Sequence, residues 1–229
     1  MNVVIDWSVG KRKSFFTPPS YCDHCKHKLG FWDLIPVFSF VFLRGRCRYC
    51  GKKIFLHYPL VELATGVLFS LSFYSLFSIP YSLFLSSVLI VIFVADLRYG
   101  IIPDKVIFPA IALVLPYSLS PIPHSLFPAF LTALSFLALY LFTDGQGLGL
   151  GDVKLSFFLG LTLNWPYVIL AMWIAFVVGG VVAAILLILG RKKLKDEIPL
   201  GPFLVIGTIV TMFLGKLMLG MVNKFWGTF

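Results

Sequence analysis

The chain has 229 residues, of which 59% are hydrophobic and only 13% charged, and it carries a formal net charge of +9. A soluble globular chain averages about 25% charged residues, so an ordinary water-soluble fold is excluded. Several stretches approach or exceed the roughly 20 apolar residues that cross a bilayer core, which makes the chain an all-α polytopic membrane protein. Of 19 Lys and Arg, ten lie in residues 11–53, Arg98 and Lys105 flank one loop, Lys154 follows another, and Arg191, Lys192, Lys193 and Lys195 fill a third. Cytoplasmic loops under the positive-inside rule carry this pattern. Anionic membrane lipids are a sufficient partner for those charges, and nucleic acid is not needed as one.

In chain order, residues 1–57 are polar and basic, and residues 58–229 form a helical membrane domain. Met1-Asn2-Val3-Val4-Ile5 reads as the end of an apolar segment, as though a first span were shortened. Seven spans are expected, at 58–78, 81–95, 105–119, 124–143, 153–164, 166–190 and 201–223. Pro80, the Ser120-Pro121-Ile122-Pro123 run and Pro166 break the chain on one side of the membrane. Loops 96–104, 143–151 and 191–200 fall on the other. Starting from a cytoplasmic N-terminus, the alternation puts 17 of the 19 basic residues in the cytoplasm, all but Lys216 and Lys224. The span at 153–164 rises only about 18 Å as a helix, short for a bilayer of roughly 30 Å. Either the membrane thins there or the helix is sunk among its neighbours.

All four cysteines precede the spans, as Cys22-x-x-Cys25 and Cys47-x-x-Cys50. Two such knuckles give four thiolates in the tetrahedral geometry that structural Zn²⁺ takes. Gly51 suits the tight turn after the second pair. His24 and His27 are spare ligands, expected to be solvated because four sulfurs already complete the shell. A closed shell of this kind is structural, clamping a segment with too small an apolar core to fold unaided.

Five acidic residues lie between 58 and 190: Glu62, Asp96, Asp104, Asp144 and Asp152. Asp104 after Pro103 is expected to N-cap its helix. Asp144 is expected in solvent, and Glu62 in a polar contact with another helix. Asp96 ends the run Val91-Ile-Phe-Val-Ala95, and Asp152 opens a helix after Gly147-Leu-Gly149-Leu-Gly151. Both therefore lie at one depth on one membrane face. Two neighbouring carboxylates share a proton, so one can activate water while the other polarises a carbonyl. From spacing alone a second reading stands level with this one, in which Asp152 caps its helix and Asp96 pairs with Arg98.

These residues, taken in order, resemble the type IV prepilin peptidases of type IV pilus and type II secretion systems. The resemblance runs through Cys22-x-x-Cys25, Leu43-Arg-Gly-Arg46-Cys47-x-x-Cys50 and Tyr58-Pro59-Leu60-Val61-Glu62. It continues through Asp96-Leu-Arg-x-x-x-Ile102-Pro103-Asp104, Gly149-Leu-Gly151-Asp152-Val-Lys154-Leu155 and Ile198-Pro199-Leu200-Gly201-Pro202-Phe203. It implies a bacterial inner-membrane aspartyl protease of the Gly-x-Gly-Asp class, with Asp96 and Asp152 as the catalytic pair. Its substrates would be prepilin-like proteins cut on the cytoplasmic side, between a basic leader and an apolar helix. Glu62, Asp104, Gly149, Gly151 and Lys154 would position substrate or hold the loops. The four-cysteine segment goes with a second activity, N-methylation of the new terminus by S-adenosylmethionine, although no glycine-rich signature for that cofactor is readable. The competing classes are a transporter or channel, which calls for carboxylates in mid-span, and a zinc-ribbon interaction module on an undistinguished anchor. A presenilin-like intramembrane protease shares the Gly-x-Gly-Asp element but has no need of the cysteines.

Overall fold

The computed structural model describes residues 1–10, 20–22, 24–35, 37–118, 126–145, 147–191 and 198–226. The basic residues 11–13, 192, 193 and 195, the proline break at 120–123 and His124 lie outside them. Among the described residues the regular structure is helical: α1 Asn2–Ser8, α2 Phe38–Phe42, α3 His57–Leu71, α4 Ile79–Tyr99, α5 Asp104–Ser118, α6 Leu126–Phe142, α7 Leu150–Leu163, α8 Tyr167–Ile188 and α9 Gly201–Trp226. The only strand-like pairings there are two isolated antiparallel bridges, Tyr21 with Lys28 and Arg46 with Lys53.

Each of the seven expected spans falls on a helix, but the lengths differ. Three are long and apolar enough to cross a membrane, Ile79–Tyr99, Tyr167–Ile188 and Gly201–Met221, and Leu126–Phe142 is a shorter apolar helix. α3, α5 and α7 have 15, 15 and 14 residues. Pro80 does not separate two elements. It sits in the first turn of α4, where its missing N–H has no helical partner to lose.

The short α7 is sunk among its neighbours. Leu155, Phe158 and Leu159 are fully buried, as are Ser156 and Gly160. They share one core with Leu85, Leu89 and Ile92 of α4, Ile107 and Val114 of α5, and Leu204 and Val205 of α9. Close approach comes from small residues. A Cβ on Gly160 would collide with the Ala129 backbone of α6, and one on Gly207 of α9 with the Ala171 carbonyl of α8. The Thr132 hydroxyl of α6 also donates to the Ser156 carbonyl at 3.0 Å. Helices that pack without a hydrophobic force between them rely on such small-residue contacts and interhelical hydrogen bonds.

The N-terminal residues are not loose. Ile5 of α1 is buried against Val61 of α3 and Ile90, Val91 and Val94 of α4. Asn2 donates its amide to the Tyr58 carbonyl at 3.2 Å. Lys105 lies 5.4 Å from the centre of the Trp7 ring. The cysteine-bearing segment lies beside the last turn of α4.

Candidate active site and thiol cluster

The two cysteine knuckles are built alike. In each, the amide four residues after the first cysteine returns to that cysteine's carbonyl, Lys26 to Cys22 and Gly51 to Cys47, both at 2.9 Å. The turn forces both residues into the left-handed region, with φ of 56° at Lys26 and 68° at Gly51. The glycine at the second knuckle therefore has the role its position suggested. A Cβ on Gly51 would meet nothing within 4 Å. Gly51→Ala is therefore expected to cost about 1 kcal/mol through backbone conformation alone, measured as faster amide exchange across residues 46–53.

The four sulfurs lie within 4.8 Å of one another, and Cys22 Sγ is 3.9 Å from Cys50 Sγ. A tetrahedron with metal–sulfur bonds of about 2.3 Å has edges of about 3.8 Å. The spacing thus fits one shared ion, and it is far too long for a covalent S–S bond. Burial pushes the Cys22 thiol up, but the amides of Cys25 and His24 and the neighbouring thiols outweigh it and hold it at about 7. Amides aimed at a sulfur favour the thiolate that binds metal. Neither histidine joins the cluster: His24 is exposed, and the His27 ring lies 3.8 Å from that of Tyr49. Asp33 ties the segment together, 3.0 Å from Arg48 Nε and accepting from the Tyr49 hydroxyl at 3.2 Å. Glu62 makes a polar contact, its Oε2 accepting from the Val37 amide at 3.1 Å in the residue just before α2.

Asp96 and Asp152 come together where three helix ends meet. Asp96 lies in the last turn of α4, which stops because Gly100 turns left-handed at φ 63° and returns its amide to the Asp96 carbonyl at 2.8 Å. Asp152 is the third residue of α7, and its Oδ2 accepts from the Gly149 amide at 3.1 Å. The carboxylates are only 6% and 9% exposed, and the charge of Asp152 bears directly on Asp96. The Gly201 amide, at the start of α9, also approaches Asp96. Even so, among the described residues Asp96 Oδ2 is buried with no hydrogen-bond partner.

Asp152 does support the start of its helix. Asp96, however, forms no ion pair with Arg98 among the described residues. The exposed Arg98 guanidinium sits 5.2 Å over the Tyr99 ring.

The expected N-cap at Asp104 needs correction. Asp104 is the first residue of α5, and its Oδ1 lies 2.7 Å from Lys154 Nζ, joining α5 to α7. α7 packs beside α5 with Lys154 facing that helix end, so the carboxylate meets an ammonium there. Asp144 is exposed, as expected of a solvated residue.

Glycines fit the site closely. A Cβ on Gly151 would press on Ile102 at 3.2 Å, and one on Gly201 would overlap the Asp96 carboxylate. Gly201 lies in the Ile198-Pro199-Leu200-Gly201-Pro202-Phe203 motif, which by itself assigns it no role. The available signal was Gly-Pro at the head of an apolar helix, which elsewhere is only a helix start. The sequence also offered no sign of a cavity of about 730 Å³ between α1, the cysteine segment and the facing ends of α3 and α4. Asp6, Tyr21, Phe40, Tyr58, Arg98 and Tyr99 are among its lining residues.

Fold and site together define a helical membrane protein with a buried acid pair at converging helix ends and a separate four-thiol cluster. Residues 1–76 match the family described as Bacterial Peptidase A24 N-terminal domain, and residues 83–184 the Type IV leader peptidase family. The chain belongs to the type IV leader peptidase family. It is 34% identical to a Prepilin leader peptidase/N-methyltransferase of Burkholderia pseudomallei (strain 1026b), over 92% of this chain and 72% of that protein. Relatives of the same name in Legionella pneumophila and Bacillus subtilis (strain 168) are 31% and 30% identical, covering 93% and 88% of this chain and 78% and 84% of theirs. No solved structure matches the chain.

Proposed function

We propose that this chain is an inner-membrane aspartyl endopeptidase that removes the basic leader from prepilin-like proteins, with Asp96 and Asp152 as its catalytic pair. The observation that carries the assignment is the meeting of these two buried carboxylates at the ends of α4 and α7, with Asp96 Oδ2 lacking a hydrogen-bond partner among the described residues. One carboxylate takes a proton from water as the oxygen adds to the scissile carbonyl. The other, protonated, donates to that carbonyl oxygen. Proton return to the leaving nitrogen completes hydrolysis and resets a pair that shares one proton. Seven spans from a cytoplasmic N-terminus would put the site on the cytoplasmic face, beside the basic loops. A substrate helix unwinds most easily there, because freed backbone groups can find water or protein. A transporter reading fits less well, since the carboxylates gather at helix ends and not in mid-span.

In this reading residues 1–57 form the cytoplasmic segment and residues 58–229 the protease domain. The sulfur spacing supports Zn²⁺ as the ion of the cluster, with Cys22, Cys25, Cys47 and Cys50 as a complete structural shell. Glu62 would brace that segment against α3. Lys154 and Asp104 would hold α5 to α7, while Gly149 and Gly151 let the Asp152 turn approach its neighbours.

The names of the relatives support a second activity, N-methylation of the new terminus with S-adenosylmethionine. The 730 Å³ cavity is within the range of small-molecule sites, about 300–1,000 Å³. Its tyrosines offer faces to a purine, while Asp6 and Arg98 offer charges to an amino-acid group. Arg98 and Tyr99 follow Asp96 on the same helix end, so a freshly cut terminus would lie close by. The cofactor would supply the methyl group. Binding of labelled S-adenosylmethionine, lost in a Tyr99→Ala variant that still cleaves, tests the assignment.

The protease assignment is tested with purified protein in detergent and a prepilin-like peptide. Asp104→Asn and Asp144→Asn should keep most cleavage. An inactive Asp144→Asn beside an active Asp152→Asn would move the site to Asp144. Gly201→Ala gives a sharper test, because alanine is the better helix former and propensity alone predicts no harm. Its Cβ would displace the Asp96 carboxylate, and cleavage should fall on the order of 10²-fold with the fold retained.

A further inference from the structure

The cysteine segment carries an apolar face that the acid pair, the thiol cluster and the cavity leave unexplained. Phe31 and Trp32, on the 3₁₀ turn Phe31–Leu34, are 78% and 70% exposed. Phe38, Val41 and Phe42 of α2 are 76%, 66% and 92% exposed. The two turns pack against one another, so five large apolar side chains crowd two short adjoining turns. A patch of this kind on a polar segment marks a surface that is covered in use.

We infer that this face is inserted into the cytoplasmic leaflet of the membrane, anchoring the cysteine segment to anionic lipid next to the acid pair. The inference rests on the membrane reading above and names what the segment touches. Three observations select lipid as the occupant. The first is tethering: Glu62, in the second turn of α3, holds the Val37 amide just ahead of α2 at 3.1 Å, so the face cannot leave the level of that helix end. The second is continuity. Phe55 and Leu56 before α3, and Leu60, Leu63 and Val67 along it, are all more than half or about half exposed. They extend the apolar surface from α2 onto the outside of a helix of the bundle.

The third is charge. Residues 20–57 hold seven Lys and Arg against two Asp, and Arg44, Lys52 and Lys53 are exposed. Aromatic rings set among basic side chains match the boundary between headgroups and acyl chains, where rings enter the apolar layer and cations meet lipid phosphate.

The test uses the full chain in nanodiscs of phosphatidylethanolamine and phosphatidylglycerol. p-Benzoylphenylalanine is installed singly at Phe42, at Trp32 and at Trp173, and adducts formed on illumination are identified by mass. Trp173, 61% exposed on α8, reports the bilayer-facing surface of the bundle. Lipid adducts at Phe42 and Trp32 within about threefold of the Trp173 yield support insertion. Lipid adducts at Trp173 alone overturn it while leaving the membrane reading intact, and none at any position overturns both. Adding a prepilin-like substrate supplies a further arm. If Phe42 then crosslinks to the substrate and its lipid adducts disappear, the face is a substrate dock and the inference fails.

Discussion

Asp96→Asn and Asp152→Asn should each lower cleavage of a prepilin-like peptide by about 10²–10⁴-fold, the range contributed by a positioned acid or base. Asparagine keeps the size of aspartate and one acceptor oxygen while removing its charge and its capacity to exchange a proton. The prediction therefore separates catalysis from support of the helix. Asp152 Oδ2 accepts from the Gly149 amide at 3.1 Å, and an asparagine oxygen can take the same bond. If holding α7 were the whole role of Asp152, Asp152→Asn would cleave at nearly the original rate. Asp96 Oδ2 has no hydrogen-bond partner among the described residues. An asparagine oxygen can keep the approach of the Gly201 amide, so thermal unfolding should change little while turnover is lost. Near-normal cleavage by either variant would end the assignment.

The second large effect is expected from Cys22→Ser/Cys47→Ser, which takes one sulfur from each knuckle. Bound zinc should fall from about one per chain to about none, since two of four ligands are gone. Unchanged zinc content would rule out the four-cysteine site. The structural consequence should be local. The binding energy of a closed zinc site, about 10–16 kcal/mol in small zinc-binding peptides, is largely the folding energy of the segment around it. Here the side-chain ties within the segment include Asp33 to Arg48 and Tyr49 and the tilted contact of the His27 ring with Tyr49, and each is worth far less than a zinc site. Limited proteolysis should therefore cut residues 20–57 quickly in the double variant. The core around Leu155, Phe158 and Leu159 shares no side chain with the cluster, and the helical bundle should survive.

These two predictions were legible to different degrees before the fold was known. The cysteine cluster depends on two short-range turns, and each turn depends on a spacing of three residues. Local sequence therefore determined both knuckles, including the left-handed residue at Gly51. Lys26 was not legible, because a lysine carries no sign that its backbone must adopt the same conformation at φ 56°. The expected capping role of Asp104 failed for a related reason. Helix-start signals are read along the chain, whereas the Lys154 ammonium that takes its carboxylate belongs to a helix fifty residues away.

The sequence by itself determined the helical class, the positions of seven apolar segments, the paired knuckles and the order of motifs that marks the family. All of these are carried by composition or by residues close together along the chain. What only the tertiary structure decided was which side chains share space. It brought the end of α4, the start of α7 and the start of α9 to one point, and it exposed Gly201 as the residue whose missing side chain leaves room for Asp96. It also showed how a helix short for a bilayer serves the site: α7 is sunk within the bundle, where α5, α6, α8 and α9 surround it. Periodicity measures how apolar a segment is and not what it is packed against. Contacts between distant segments are set by how close their backbones can come, and in this protein the glycines set that distance.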